Sequence, residues 1–167
     1  DTVGKDDEAL AMYKKALELA PEDLRIKNAV ARFYVKNKNI EAAQNAITEI
    51  LEERPQYFPT RMLKGEFAVQ KGEFNDAVEM FDQLIKQEPA SARAHYFKGV
   101  AHLGKGDARL ARPALARAVE IDPGFIQARL LLAEIYLRDR DFELAQKESE
   151  EVLKRRPENY QAMMTLG

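Results

Sequence analysis

Between Leu24 and Tyr57 the apolar positions form two stripes divided by a polar break. Ile26, Val30, Phe33, Tyr34 and Val35 recur at helical spacing, Asn37-Lys38-Asn39 interrupts them, and Ile40, Ala43, Ile47, Ile50 and Leu51 resume the same period. Pro55 closes the stretch, because proline has no N–H and moves the preceding residue out of the helical region. The pattern predicts helix, short turn, helix, stop. Later stretches repeat it, with turns predicted at Lys71-Gly72-Glu73, Lys105-Gly106-Asp107 and Arg138-Asp139-Arg140-Asp141.

The repetition has a fixed period of 34 residues, which places proline at 21, 55, 89, 123 and 157 and alanine at 9, 43, 77, 111 and 145. A fixed period of this length is the mark of an array of one supersecondary unit, each burying its apolar face against its neighbours. Counted from the start of each unit, position 8 is small throughout, as Ala31, Gly65, Gly99, Ala133 and Gly167. Two antiparallel helices approach closely only where side chains are small, so position 8 and the alanine series at position 20 predict the crossing within each hairpin. Phe33, Phe67 and Ile135 from first helices, with Phe74, Phe81, Leu115 and Phe142 from second helices, are expected to fill the space around it.

Small residues, turn and proline in phase make the chain similar to the tetratricopeptide repeat family over its whole length. The resemblance implies an all-α fold, a right-handed superhelical solenoid of antiparallel helix pairs, read here as one array over 1–167. Residues 1–23 would hold the second helix of a partial repeat, carried by Asp7-Glu8-Ala9-Leu10, Lys15-Ala16-Leu17-Glu18-Leu19 and Pro21. Full repeats would follow at 24–57, 58–91, 92–125 and 126–159, with a further repeat opening at 160–167. The family's usual tryptophan position holds Lys27, Arg61, His95, Arg129 and Met163, so an aromatic packing residue is lost. Ser149 replaces a large residue and predicts a looser hairpin, and Pro113 should kink or shorten the helix it enters. Both ends cut a repeat, which predicts a segment of a longer array. Leu10, Tyr13 and Leu17 at one end, and Tyr160, Met163, Met164 and Leu166 at the other, are expected to lack covering neighbours and to support self-association.

Composition narrows the chemistry. The chain is 46% apolar and 32% charged, with net charge -2 and no cysteine, which removes disulfides and thiolate chemistry. The acidic start (Asp1, Asp6, Asp7, Glu8) and the basic lean of 92–125 read as solvated helix faces. No apolar run approaches the ~18 residues of a membrane span. There is no signal-peptide pattern, but the chain opens without Met, so a soluble protein of the bacterial cytoplasm or periplasm is expected with no choice between them.

Candidate reactive groups do not converge. His95 and His102 lie seven residues apart on one helix, separated by roughly 10 Å along its axis, too far to share a metal. Glu66 and Glu134 share a register position but have an entire repeat between them, which precludes concerted acid–base work. No phosphate loop or activated nucleophile is present, so neither an enzyme nor a cofactor is expected. The inner positions are too aliphatic for a base-reading RNA repeat, and Lys154-Arg155-Arg156 suits a helix terminus better than a phosphate site.

The family resemblance implies that first helices line a concave groove. Transferred to this sequence, its inner positions give Asn28, Arg32, Met62, Leu63, Glu66, Arg93, Tyr96, Phe97, Val100, Leu130, Leu131, Glu134 and Arg138. They form an apolar strip flanked by opposed charges, the signature of an interaction surface. Tyr96 and Phe97 are the expected anchors, with Arg32, Glu66, Arg93 and Glu134 setting register. The family's clamp for a terminal carboxylate is not reproduced: Asn28, Arg32, Leu63, Arg93 and Phe97 occupy its positions, and starting one repeat later gives Met62, Glu66, Phe97, Gln127 and Leu131. The expected partner is therefore a protein, presenting an extended peptide or amphipathic helix, without nucleic acid or membrane insertion. Arg54-Pro55 and Arg156-Pro157 add a resemblance to bacterial envelope repeat proteins of exopolysaccharide export and exosortase systems, implying a self-assembling structural module as the alternative.

Overall fold

The computed structural model describes the backbone of residues 2–166 and the side chains of 8–166. Asp1, Gly167 and the side chains of Asp6 and Asp7 lie outside the described residues. Within them every regular element is a helix, in the order α1 (Thr2–Leu19), α2 (Leu24–Lys36), α3 (Ile40–Glu53), α4 (Phe58–Lys71), α5 (Phe74–Gln87), α6 (Ala92–Gly104), α7 (Ala108–Ile121), α8 (Ile126–Arg138), α9 (Phe142–Arg155) and α10 (Tyr160–Leu166).

The short turns share one backbone solution. Lys38, Gly72, Gly106 and Arg140 occupy the same repeat position, and all have positive φ, at 55°, 80°, 78° and 61°. Each donates its N–H three residues back, and the next residue donates five residues back, as in Asn39 N to Tyr34 O at 3.0 Å and Asp107 N to His102 O at 2.9 Å. This is the Schellman termination, which satisfies the last carbonyls of the first helix.

The long-period joints are set by proline. Arg54, Glu88, Asp122 and Arg156, each preceding a proline, have φ between −137° and −124° and ψ between 80° and 93°. The chain leaves the helix there because the proline ring excludes the helical region for the residue before it. Several of the helices that follow a joint or turn are capped by a polar side chain, including Asp23 to Arg25 N at 2.9 Å, Ser91 to Ala94 N at 3.3 Å and Asp107 to Leu110 N at 3.1 Å.

The chain forms two compact units, Asp1–Phe67 and Ala68–Gly167, and the division falls inside α4. In the first, Ala31 and Val35 of α2, Ala43, Ile47 and Ile50 of α3, and Leu63 and Phe67 of α4 make one buried cluster. In the second, Ala111, Leu115 and Ala118 of α7 pack with Ala128, Leu132 and Ile135 of α8. Ala31, Gly65, Gly99 and Ala133 are buried, as are Ala43, Ala77, Ala111 and Ala145.

Four sequence expectations need correction or refinement. Phe142 does not fill the hairpin; it opens α9 and is 64% exposed. Pro113 does not shorten its helix, because α7 runs 14 residues, the same as α3, α5 and α9. It stands early in the helix, where the missing N–H removes only the bond to Arg109 O. Tyr13 does have a covering neighbour, meeting Phe33 edge-on at 6.1 Å, while Met12 and Leu19 are the exposed large apolar side chains of α1 among the described residues. Ser149 is fully buried, and its hydroxyl has no hydrogen-bond partner among the described residues.

Candidate interaction surface

In the second unit, α6 brings Arg93, Tyr96, Phe97 and Val100 onto one face through spacings of three and four residues. Phe97 stacks on Phe81 of α5 with ring centroids 5.8 Å apart, and Tyr96 meets Phe97 edge-on at 5.0 Å. Tyr96 also packs against Phe125 at 4.8 Å. Arg93 lies over the Phe97 ring at 5.6 Å, a cation–π distance. Both aromatic rings are half-buried, so one side of each is pinned while the rest meets solvent. Burial raises the Tyr96 phenol above its ordinary pKa. On α8, Leu130 and Leu131 are half-buried, and Glu134 and Arg138 are exposed without an ion pair among the described residues. Tyr96 and Leu131 both rest on the α7/α8 cluster, which fixes the two helices' contributions against a common floor.

The first unit differs. Met62 and Leu63 are 4% and 0% exposed, so neither offers side-chain surface. Leu63 is a member of the α2/α3/α4 core, because this register position turns toward the preceding hairpin and here finds enough apolar volume to cover it. Asn28 is also buried, and its Oδ1 accepts from Thr60 Oγ1 at 2.8 Å, joining α2 to α4. Arg32 Nη1 and Glu66 Oε2 pair at 3.3 Å between the same helices. These polar groups brace successive first helices against each other.

The position expected to lose its aromatic residue has acquired polar tethers instead. His95 Nε2 lies 3.1 Å from Pro89 O, and Arg129 Nε donates to Pro123 O at 3.0 Å, each reaching the proline joint six residues upstream. Arg129, only 8% exposed, also forms an ion pair with Glu148 of α9. Lys27 Nζ bonds Glu53 at 2.8 Å with Glu49 and Glu22 nearby, and Glu53 chiefly raises its pKa. All three positions depart from the family pattern in the sequence, and at Lys27 and Arg129 the charge, paired with an acid on the following helix, was the signal for a tether.

His102 is buried, and its Nδ1 has no partner among the described residues. Desolvation, with Lys98 and Lys105, lowers its pKa. No group of three His, Asp or Glu among the described residues could hold a metal ion, and no described helix is long and apolar enough to cross a membrane.

Two family models, both described as tetratricopeptide repeat, match the chain, one at residues 62–124 and the other at 4–64 and 102–167. No curated protein sequence matches it. Among solved structures, it is similar to TTC0263, a thermophilic tetratricopeptide protein of Thermus thermophilus, at 21% identity over 98% of this chain and 89% of that one, with TM-score 0.81. PilW, a type IV pilus biogenesis factor, aligns at 20% identity over 92% of this chain and 71% of that one, with TM-score 0.78. YrrB, described as a tetratricopeptide protein with an unusual peptide-binding site, aligns at 20% identity over 98% and 84%, with TM-score 0.67.

Proposed function

The chain belongs to the tetratricopeptide repeat family, a helical-repeat scaffold for protein–protein interaction, and from that premise we propose that it binds an extended peptide or partner helix without catalysing a reaction. The surface is formed by first helices, centred on α6 and α8 of the second unit. The observation that carries this reading is the half-buried Tyr96–Phe97 pair, held from behind by Phe81 and Phe125 and bordered by Arg93. Rigid aromatic rings give contact area at low entropic cost, and such residues dominate interface energetics. Glu134 and Arg138, exposed on α8, supply opposed charges to orient the bound segment.

The test is partner capture by the intact chain and by a Tyr96→Ala variant, with circular dichroism as the control for folding. Capture should fall at least tenfold with helicity retained, as for a central interface residue. Undiminished capture would remove the surface from consideration.

A second reading rests on α10. Tyr160, Met163, Met164 and Leu166 are 73%, 51%, 64% and 43% exposed within one short helix. As a structural module of a bacterial envelope or exopolysaccharide-export complex, the chain would associate with copies of itself through this helix. Met163→Glu with Met164→Glu should then disperse assemblies in sedimentation while leaving partner capture intact. A wild-type chain that stays monomeric at high concentration would dismiss this alternative.

A further inference from the structure

A pair of matching clefts lies at the two Arg-Pro joints, one in each compact unit. The first, about 410 Å³, is lined by Leu24, Arg54, Pro55, Gln56 and Tyr57. The second, about 850 Å³, includes Ile126, Arg156, Pro157, Glu158 and Asn159. Every lining residue of the first has its counterpart in the second, three repeat lengths later in the sequence.

The backbone is duplicated as well. Arg54 has φ −137° and ψ 81°, and Arg156 has φ −136° and ψ 80°. Both donate their N–H to the helix four residues back at 2.8 Å, and both carbonyls accept at 3.0 Å from the residue three positions on. Proline imposes this extended geometry and so swings each arginine away from its helix. The consequence is visible at the second joint, where Lys154 and Arg155, still helical, both pair with Glu151. Arg156, one residue later, does not. Neither Arg54 nor Arg156 makes a side-chain hydrogen bond or ion pair among the described residues, whereas Arg25, Lys27, Arg32, Lys98 and Arg129 are all paired. The equivalent residues of the two intervening joints are Glu88 and Asp122, so this cationic lip belongs only to the outer pair.

We infer that the two Arg-Pro joints are duplicate anchor sites for an acidic peptide, each taking an aliphatic or aromatic side chain into the cleft while a neighbouring carboxylate meets the arginine. Leu24 with Tyr57, and Ile126 with Leu130, supply the apolar walls. An arginine fork matches a carboxylate's two oxygens, which fixes the charge and orientation of the occupant. The sites share only Leu130 with the proposed α6/α8 surface and do not depend on it. They are also unequal. Gln56 in the first cleft corresponds to Glu158 in the second, and Arg61 Nη1 bonds Gln56 Oε1 at 3.0 Å, adding a second cation near the first rim. The first site therefore binds the acidic peptide more tightly.

The test is an amide NMR titration of the intact chain with the peptide acetyl-Ser-Gly-Asp-Leu-Glu-Gly-Ser-amide, compared with a version carrying lysine for Asp and Glu. The acidic peptide should shift amides at 54–57 and 156–159, and the basic peptide should not. Arg54→Glu should weaken the first set at least tenfold and spare the second, with Arg156→Glu doing the converse; Glu158→Gln should bring the two sites closer in affinity. Both arginines are exposed, and Arg54→Gln and Arg156→Gln serve as milder variants if either charge reversal perturbs folding. Shifts confined to α6 and α8, equal binding of both peptides, insensitivity to the arginine variants, or no shifts at millimolar peptide would each overturn the inference.

Discussion

A side-chain carbon placed on Gly99 would sit 2.6 Å from Leu115 Cγ and 2.8 Å from its Cδ2. The α6/α7 crossing is therefore closed to within less than a methyl group. Leu115 is fully buried and cannot swing aside without disturbing its cluster. Gly99→Ala should destabilise the second unit by about 1–3 kcal/mol despite alanine's better helix propensity, as overpacking does. Chemical denaturation checks this, and a neutral or stabilising effect would show that the crossing is looser than this packing implies.

At the short turns the four equivalent positions all require left-handed backbone, yet only Gly72 and Gly106 are glycine. Lys38 and Arg140 carry a β-carbon into a region that costs such residues about 1–2 kcal/mol. Lys38→Gly and Arg140→Gly should each stabilise the chain by about 0.5–1 kcal/mol, the relieved strain exceeding glycine's extra unfolded-state entropy. Thermal midpoints should rise for both and rise further when the two are combined.

The pairing of Arg129 with Glu148 gives a sharper contrast. Their side chains are 9% and 13% exposed. Arg129→Ala strands a buried carboxylate and frees Pro123 O, so a loss of about 3–5 kcal/mol is expected. Arg129→Leu combined with Glu148→Leu removes both charges and should cost much less. A double-mutant cycle built from Arg129→Leu, Glu148→Leu and their combination measures the coupling, and a double-variant loss equal to the sum of the two single losses would refute a coupled pair.

Stability should also fall on mild acidification. Desolvation lowers the pKa of both His95 and His102 below the ordinary value of 6.5, with Arg117 and Lys98 reinforcing the first and Lys98 and Lys105 the second. Pro89 O opposes the shift at His95, as Asp107 and Asp82 do at His102. The unfolded chain therefore binds protons first as pH drops below about 6.5. Stability is full above that pH and declines below it until the folded imidazoles also protonate. Urea midpoints between pH 7.5 and 5.5 should show the decline, and His95→Gln with His102→Gln should flatten it. At lower pH a separate loss follows, because Arg25 holds Asp23 and Lys154 holds Glu151 at about 2.

The hairpins were legible in sequence because they follow from local rules: apolar spacing, a left-handed turn and a proline stop. The candidate surface was legible only in part. Register identifies which residues lie on the first helices, but not which are covered by neighbours. Leu63 and Leu131 share a position, and the first is sealed in a core while the second remains half-open. That difference depends on the volume supplied by Val35, Ile47 and their neighbours, a nonlocal quantity. Phe142 shows the same limit in reverse, an apolar residue in phase with the pattern that packs against too little to be buried.

The most direct test of the interaction surface is site-specific photo-crosslinking in cells that express the chain. Photoreactive residues would replace Arg93, Glu134 and Arg138 on first helices and, for comparison, the exposed Arg109 of α7 and Lys147 of α9. A shared protein partner cross-linked from 93, 134 and 138, and absent from 109 and 147, is the expected result. Cross-links to that partner from 109 and 147 alone would place binding on the second helices and contradict the account.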